Sequence, residues 1–210
     1  MEFKKLYSKE DKSVWIHVAA GHFATNHSHI NYYIDLSNVK SYQKMAKKVG
    51  GHLAHMYNNV PIDTIISLEG TEMIGSFIAD ELSQPSIVSI NSGNDICVLA
   101  PEMNANNQMI FRGNNHKMVY NKNVLLLMAS ISTGRTIMRA QEAMSYYGGR
   151  LVGISAVFSA LDDEYGIPIY SAFTPHDLPK YRSYFTNECK MCAENKKLDA
   201  IVNSYGYSTL

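Results

Sequence analysis

VLLLMASISTGRT, residues 124–136, is the stretch that decides the fold. Its first part, Val124 to Ala129, is an unbroken apolar run of strand length, apolar on both faces as a strand inside a parallel sheet must be. The character then changes abruptly. Ser130, Ser132, Thr133, Gly134 and Thr136 make a short hydroxyl-rich loop, and a helix is predicted over roughly 135–147, closed by Gly148-Gly149. A strand, a short loop and a helix in that order bring hydroxyls, unpaired backbone N–H groups and a helix N-terminus to one point. Such a point suits an anion, a phosphate above all. Gly134 would let the backbone approach the ligand closely. The same residues also read as an ordinary Ser/Thr helix cap.

Working outward, the pattern recurs. Leu151 to Phe158 is the next strand. Upstream, residues 64–68 read as a buried strand running into the turn EGTE (69–72) and a helix over about 73–82. Helical spacing at Val39, Tyr42, Met45, Ala46 and Val49 predicts an earlier helix that Gly50-Gly51 stops. Two β-prone runs, SIVSI (86–90) and ICVLA (96–100), flank the turn NSGND, and the Asn/Gln-rich residues 101–123 predict a hairpin or mobile loop. Beyond Ser159 the chain reads as irregular. Strands alternating with helices predict an α/β fold with a largely parallel sheet and crossover helices.

Bulk properties narrow the function. With 210 residues, 46% hydrophobic and 18% charged, the chain suits one globular domain rather than a disordered one. Nineteen basic residues balance nineteen acidic ones, which leaves no positive field to attract nucleic acid. The longest apolar runs are too short to cross a bilayer, the charged N-terminus has no signal-peptide core, and three cysteines form no secreted disulfide framework. A cytoplasmic location is therefore expected. Fourteen tyrosines against one tryptophan fit half-exposed pocket and interface positions.

The loop from Ser130 to Thr136 resembles the phosphoribosyl pyrophosphate (PRPP) motif of type I phosphoribosyltransferases, in which a hydrophobic strand leads through two acidic residues into a Thr/Gly loop. Met128 and Ala129 stand at the two acidic positions. GHFATNHSHINYYIDL (21–36) resembles the N-terminal signature of the orotate branch of that family, and TIISLEGTEMIG (64–75) its strand and pyrophosphate loop. The resemblance, over roughly residues 15–160, implies a single type I domain. It would have a hood from residues 1–37 and possibly the C-terminal tail, a core over 38–160 and a C-terminal region over 161–210. It further implies a PRPP 5′-phosphate on Ser130, Ile131, Ser132, Thr133, Gly134, Arg135 and Thr136, and pyrophosphate at Glu69, Gly70, Thr71 and Glu72. His29 and Tyr33 would lie near the base, and Arg112, His116 and Lys117 would come from a loop closing over pyrophosphate. Mg²⁺ as cofactor, a nucleobase or nucleotide as second ligand, and a homodimer with Tyr32, Tyr33 and Tyr42 near its interface are also implied. The position at which the orotate enzymes hold a carboxylate-binding arginine is Ala160.

Other candidates remain. Cys189-Lys190-Met191-Cys192 is a lone C-x-x-C that reads either as two reduced thiols or, with His176 and a fourth group, as a metal site. His27-x-His29 and His52-x-x-His55 are read as hydrogen-bonding pocket or surface residues, and Asp162-Asp163-Glu164 as a solvated acidic run. Three function classes stay open: a phosphoribosyltransferase, a non-catalytic relative that binds PRPP or a nucleotide as a signal, and a scaffold with a vestigial pocket.

Overall fold

The computed structural model describes residues 1–9, 11–178 and 180–210. The chain begins with β1 (Lys4–Tyr7), β2 (Trp15–Ala24) and β3 (Ser28–Asp35), followed by α1 (Ser37–Ser41) and α2 (Gln43–His55). Then come β4 (Thr64–Ser67), α3 (Glu72–Ser83), β5 (Cys97–Leu99), the short strands β6 (Glu102–Met103) and β7 (Met109–Ile110), and α4 (Gly113–His116). The apolar run forms β8 (Asn123–Ile131), trailed by α5 (Arg135–Tyr147), β9 (Arg150–Ser159), β10 (Asp163–Glu164) and β11 (Ile167–Phe173). The tail supplies β12 (Ser183–Phe185), α6 (Lys190–Ala193), β13 (Ala200–Asn203) and β14 (Gly206–Thr209).

The core sheet has the order β10-β11-β9-β8-β4-β5, parallel except for the β10–β11 hairpin. β8 lies at its centre because it is apolar on both faces. Leu125, Leu127 and Ala129 pack with Val49 and Leu53 of α2 and Ile74 and Ile78 of α3. Leu126 and Met128, pointing the other way, pack with Ile137, Ala140 and Met144 of α5. The period of two along one strand thus feeds two cores. A second sheet, β12-β3-β2-β13-β14 with β1 on β2, forms the hood.

Three local expectations are corrected. Gly50-Gly51 does not end the helix, which runs on to His55. A Cβ on Gly50 would lie 2.6 Å from Phe77 Cβ and 3.0 Å from the Ile74 carbonyl oxygen, so the glycine lets α2 and α3 pack closely. Gly50→Ala should therefore destabilise the protein by about 1–3 kcal/mol through overpacking, read from denaturant titration. Residues 86–90 form no strand, and Ile87 and Val88 are exposed. The region beyond Ser159 is not irregular: β11 extends the core sheet, while β12 and β13 pair with β3 and β2 in the hood. The expected helix over 135–147 and its closure by Gly148, whose φ is +72°, are both present.

Candidate functional site

A cleft of about 380 Å³ opens at the C-terminal ends of β4 and β8, beneath the hood. All seven residues from Ser130 to Thr136 line it. Gly134 is left-handed at φ +73° and immediately precedes α5, which has no side-chain cap. Among the described residues no hydrogen bond takes up the N–H groups of Ser132, Thr133 or Gly134. The loop therefore does not serve as an ordinary Ser/Thr cap. It presents open donors and a positive helix end to the cleft, with Arg135 and Arg139 beside them. Arg139 is one helical turn beyond Arg135, a spacing that would have identified it in the sequence.

Glu69 also lines the cleft, next to the start of this loop. Its backbone is left-handed, φ +63°, followed by Gly70 at +80°. This tight turn directs the carboxylate back across the strand ends, where Oε2 accepts from the N–H groups of Ala129 (3.2 Å) and Ser130 (3.3 Å). The Lys40 ammonium donates to the Glu69 carbonyl at 2.9 Å and to the Ser204 carbonyl at 2.5 Å, tying this turn to the hood. Burial pushes the Glu69 carboxyl above its ordinary 4.5, and the two N–H donors and Lys40 only partly offset it. A carboxyl raised in the folded state contributes stability below its ordinary pKa and loses it as pH rises. Glu69→Gln should consequently be more stable than the parent at pH 7, the two converging below pH 4.5, as read from unfolding midpoints across pH.

The other expected site residues divide. Tyr33 lines the cleft from β3, whereas Gly70, Thr71 and Glu72 do not. Thr71 is buried, its hydroxyl donating to the Leu68 carbonyl at 2.8 Å, and Glu72 is exposed in the first turn of α3. His29 does not line the cleft. It is buried against His22, Nδ1 to Nε2 at 3.0 Å. Arg112, His116 and Lys117 also lie outside the cleft. Arg112 is held by Glu102 in a two-pronged ion pair of 2.7 Å bonds, and the His116 ring packs against Tyr120 and Tyr147. The expected hairpin over this region is β6–β7, and it reaches the cleft through Met103 and Asn107 instead.

Two contributions were missed in the sequence. Tyr181 and residues 202–205 of the tail close the hood side of the cleft, a placement that follows only from sheet pairing. Glu164, read as part of a solvated run, lies beside the Ser130–Thr136 loop: its Oε2 is 2.9 Å from where a Gly134 Cβ would stand. The β10–β11 turn, with Tyr165 and Gly166 both left-handed, brings it there. His176 is exposed and lies outside the one His/Cys cluster found among the described residues, which corrects its pairing with the cysteines.

No family model matches the sequence. Solved structures do. Orotate phosphoribosyltransferase of Mycobacterium tuberculosis H37Rv, in complex with PRPP, is 17% identical with a TM-score of 0.51, over 70% of this chain and 82% of that one. A phosphoribosyltransferase from Corynebacterium diphtheriae is 18% identical with a TM-score of 0.55, over 77% and 90%. Adenine phosphoribosyltransferase of Trypanosoma brucei, in complex with AMP, pyrophosphate and ribose 5-phosphate, is 13% identical with a TM-score of 0.52, over 88% and 86%. Identities this low establish a shared fold. Similarity to both orotate and adenine enzymes leaves the base unselected.

Proposed function

On the type I phosphoribosyltransferase fold that this chain adopts, we propose a PRPP site in the cleft and transfer of its phosphoribosyl group to a nitrogenous base, with release of pyrophosphate. The observation that carries the reading is the open loop at Ser130–Thr136. Its unpaired N–H groups, the N-terminus of α5 and Arg135 converge where a 5′-phosphate would sit. The ribose would then extend toward Glu69, and the base toward the hood, where Tyr33 and Tyr181 supply aromatic faces. Departure of pyrophosphate from an oxocarbenium-like centre demands positioning and charge stabilisation more than covalent help from the protein.

Magnesium commonly enters such sites on substrate phosphates, held by one or two carboxylates. Glu69 fits that requirement: it is the one carboxylate lining the cleft among the described residues, and its Oε1 has no hydrogen bond there. When bound, the ion would neutralise pyrophosphate charge. Glu72, exposed outside the cleft, is not placed to help. A homodimer belongs to the proposal, with Tyr42 at 68% exposure available to a second copy. A cytoplasmic location is kept as part of the proposal too; no described helix is long and apolar enough to cross a membrane.

A second reading, ligand binding without turnover, is favoured by two observations. Buried Met128 and Ala129 occupy the strand end where the family carries its acidic pair, and Arg112 is tied to Glu102 instead of facing the cleft. Pyrophosphate release from PRPP with magnesium, measured separately with orotate, uracil and the common purines, separates the two. Release dependent on one base establishes the transferase and names its substrate. Silence in folded protein that still binds PRPP establishes the binding relative.

A further inference from the structure

Outside the lining of the cleft, four side chains from two ends of the chain converge. His22 lies near the end of β2, and His29 follows across the hairpin on β3. Cys189 and Cys192 bracket the first turn of α6, more than 150 residues later. Their ligand atoms all lie within 4.8 Å of one another. His22 Nε2 is 3.0 Å from His29 Nδ1, 3.5 Å from Cys189 Sγ and 3.7 Å from Cys192 Sγ, while His29 Nδ1 is 3.3 Å from Cys192 Sγ. Metal–nitrogen bonds near 2.05 Å and metal–sulfur bonds near 2.3 Å give a tetrahedron with edges of about 3.3 Å between nitrogens and about 3.6 Å between nitrogen and sulfur. Those four separations already stand close to the corresponding edges.

The surroundings support the same geometry. His22 Nδ1 lies 2.8 Å from the Lys196 carbonyl oxygen. A proton on Nδ1 donated there leaves Nε2 bare and facing the cluster, the outer-shell bond that orients metal-bound imidazoles. Both histidines and Cys189 are buried, and Cys192 is at the surface. Next to this bond, the Asp199 carboxylate accepts from the His22 N–H at 2.7 Å, and Asp199 N–H donates back to the His22 carbonyl at 2.8 Å. The segment that carries the cysteines, residues 186–199, is thereby anchored at its far end as well.

We propose that His22, His29, Cys189 and Cys192 form a structural zinc site that fastens the C-terminal tail to the hood sheet. Two thiolates and two imidazoles in a closed tetrahedral set favour zinc over the oxygen-seeking magnesium or calcium. With all four positions filled by protein, the ion has no open position for catalysis. Its role follows from topology: β12 pairs with β3 and β13 pairs with β2, so the connection between them passes the β2–β3 pair with only a 3-10 turn (Thr186–Glu188) and the one-turn α6 of its own. A metal held by the hairpin and by α6 fixes that connection, and with it the entry of β13.

Elemental analysis of the untagged full-length protein, purified without chelator, is expected to give one zinc per chain. Cobalt(II) added to the stripped protein should produce the ligand-field absorption of a tetrahedral thiolate-bound ion, displaced by zinc in a one-to-one titration. Cys192→Ser should weaken metal binding by at least about 100-fold, the upper range for losing even an outer-shell partner. Because that variant could misfold, the cobalt titration of the parent stands as the independent measurement. Metal-free parent protein that gives no tetrahedral cobalt spectrum overturns the proposal, as does a Cys189–Cys192 disulfide formed in protein that holds no metal. A stoichiometric metal other than zinc overturns the assignment to zinc. None of these readings depends on PRPP binding or turnover.

Discussion

Gly134→Val is expected to lower the affinity for PRPP by about 100-fold or more, because the substitution removes the approach of backbone donors to the 5′-phosphate. Each hydrogen bond to a charged group contributes roughly 1.5–3 kcal/mol, and 1.4 kcal/mol is a factor of ten, so losing two N–H donors suffices. The backbone at this position is left-handed at φ +73°, which a β-branched residue strongly resists. Its Cβ would also meet the Glu164 carboxylate at 2.9 Å. Thr133→Val is the milder companion. It keeps the backbone, removes one hydroxyl and should cost about tenfold. Calorimetric titration of both variants, alongside their unfolding midpoints, separates loss of a binding site from loss of the fold. Unchanged affinity in both would place the phosphate elsewhere.

The second large effect is on stability. Tyr57 is 1% exposed, its hydroxyl donates to the Ile154 carbonyl on β9 at 2.6 Å, and its ring meets Tyr170 edge-on. The ring also presses on Gly153, where a Cβ would lie 2.6 Å from it. Burial pushes the phenol well above its ordinary range, so it stays neutral and bonded at any working pH. Tyr57→Ala should cost about 3–5 kcal/mol through the cavity it opens between α2 and the sheet. Tyr57→Phe should cost about 1 kcal/mol for the lost hydrogen bond, both read from denaturant unfolding. Equal losses in the two variants would show that the hydroxyl, not the ring, carries the position.

What was legible in the sequence was local. The run Val124–Ala129 and the loop after it announce a strand, a candidate anion site and a helix within thirteen residues, and the structure has the strand and the helix in place. Gly50 misled for the opposite reason: a helix breaker by propensity, it is retained because α3 lies against it, a fact absent from its own neighbourhood. The run SIVSI has strand propensity, yet no strand pairs with it and Ile87 is left in solvent. The end of the tail read as irregular because β12, β13 and β14 are four residues or shorter, and β12 and β13 find their places only by pairing with the distant β3 and β2. The Cys/His cluster was half visible. C-x-x-C is a recognisable pair, but nothing in a linear reading says that His22 and His29, not His176, complete it. Likewise Glu164 meets the Ser130–Thr136 loop only because β11 lies beside β9.

The most direct test of the account is a calorimetric titration of PRPP into the parent protein and Thr133→Val, with ribose 5-phosphate in parallel. The account predicts one saturable site per chain for PRPP, weaker binding of ribose 5-phosphate at the same site, and a loss of affinity for both in the variant. Folded parent protein that binds neither ligand at millimolar concentration, or a variant that binds both as tightly as the parent, would contradict it.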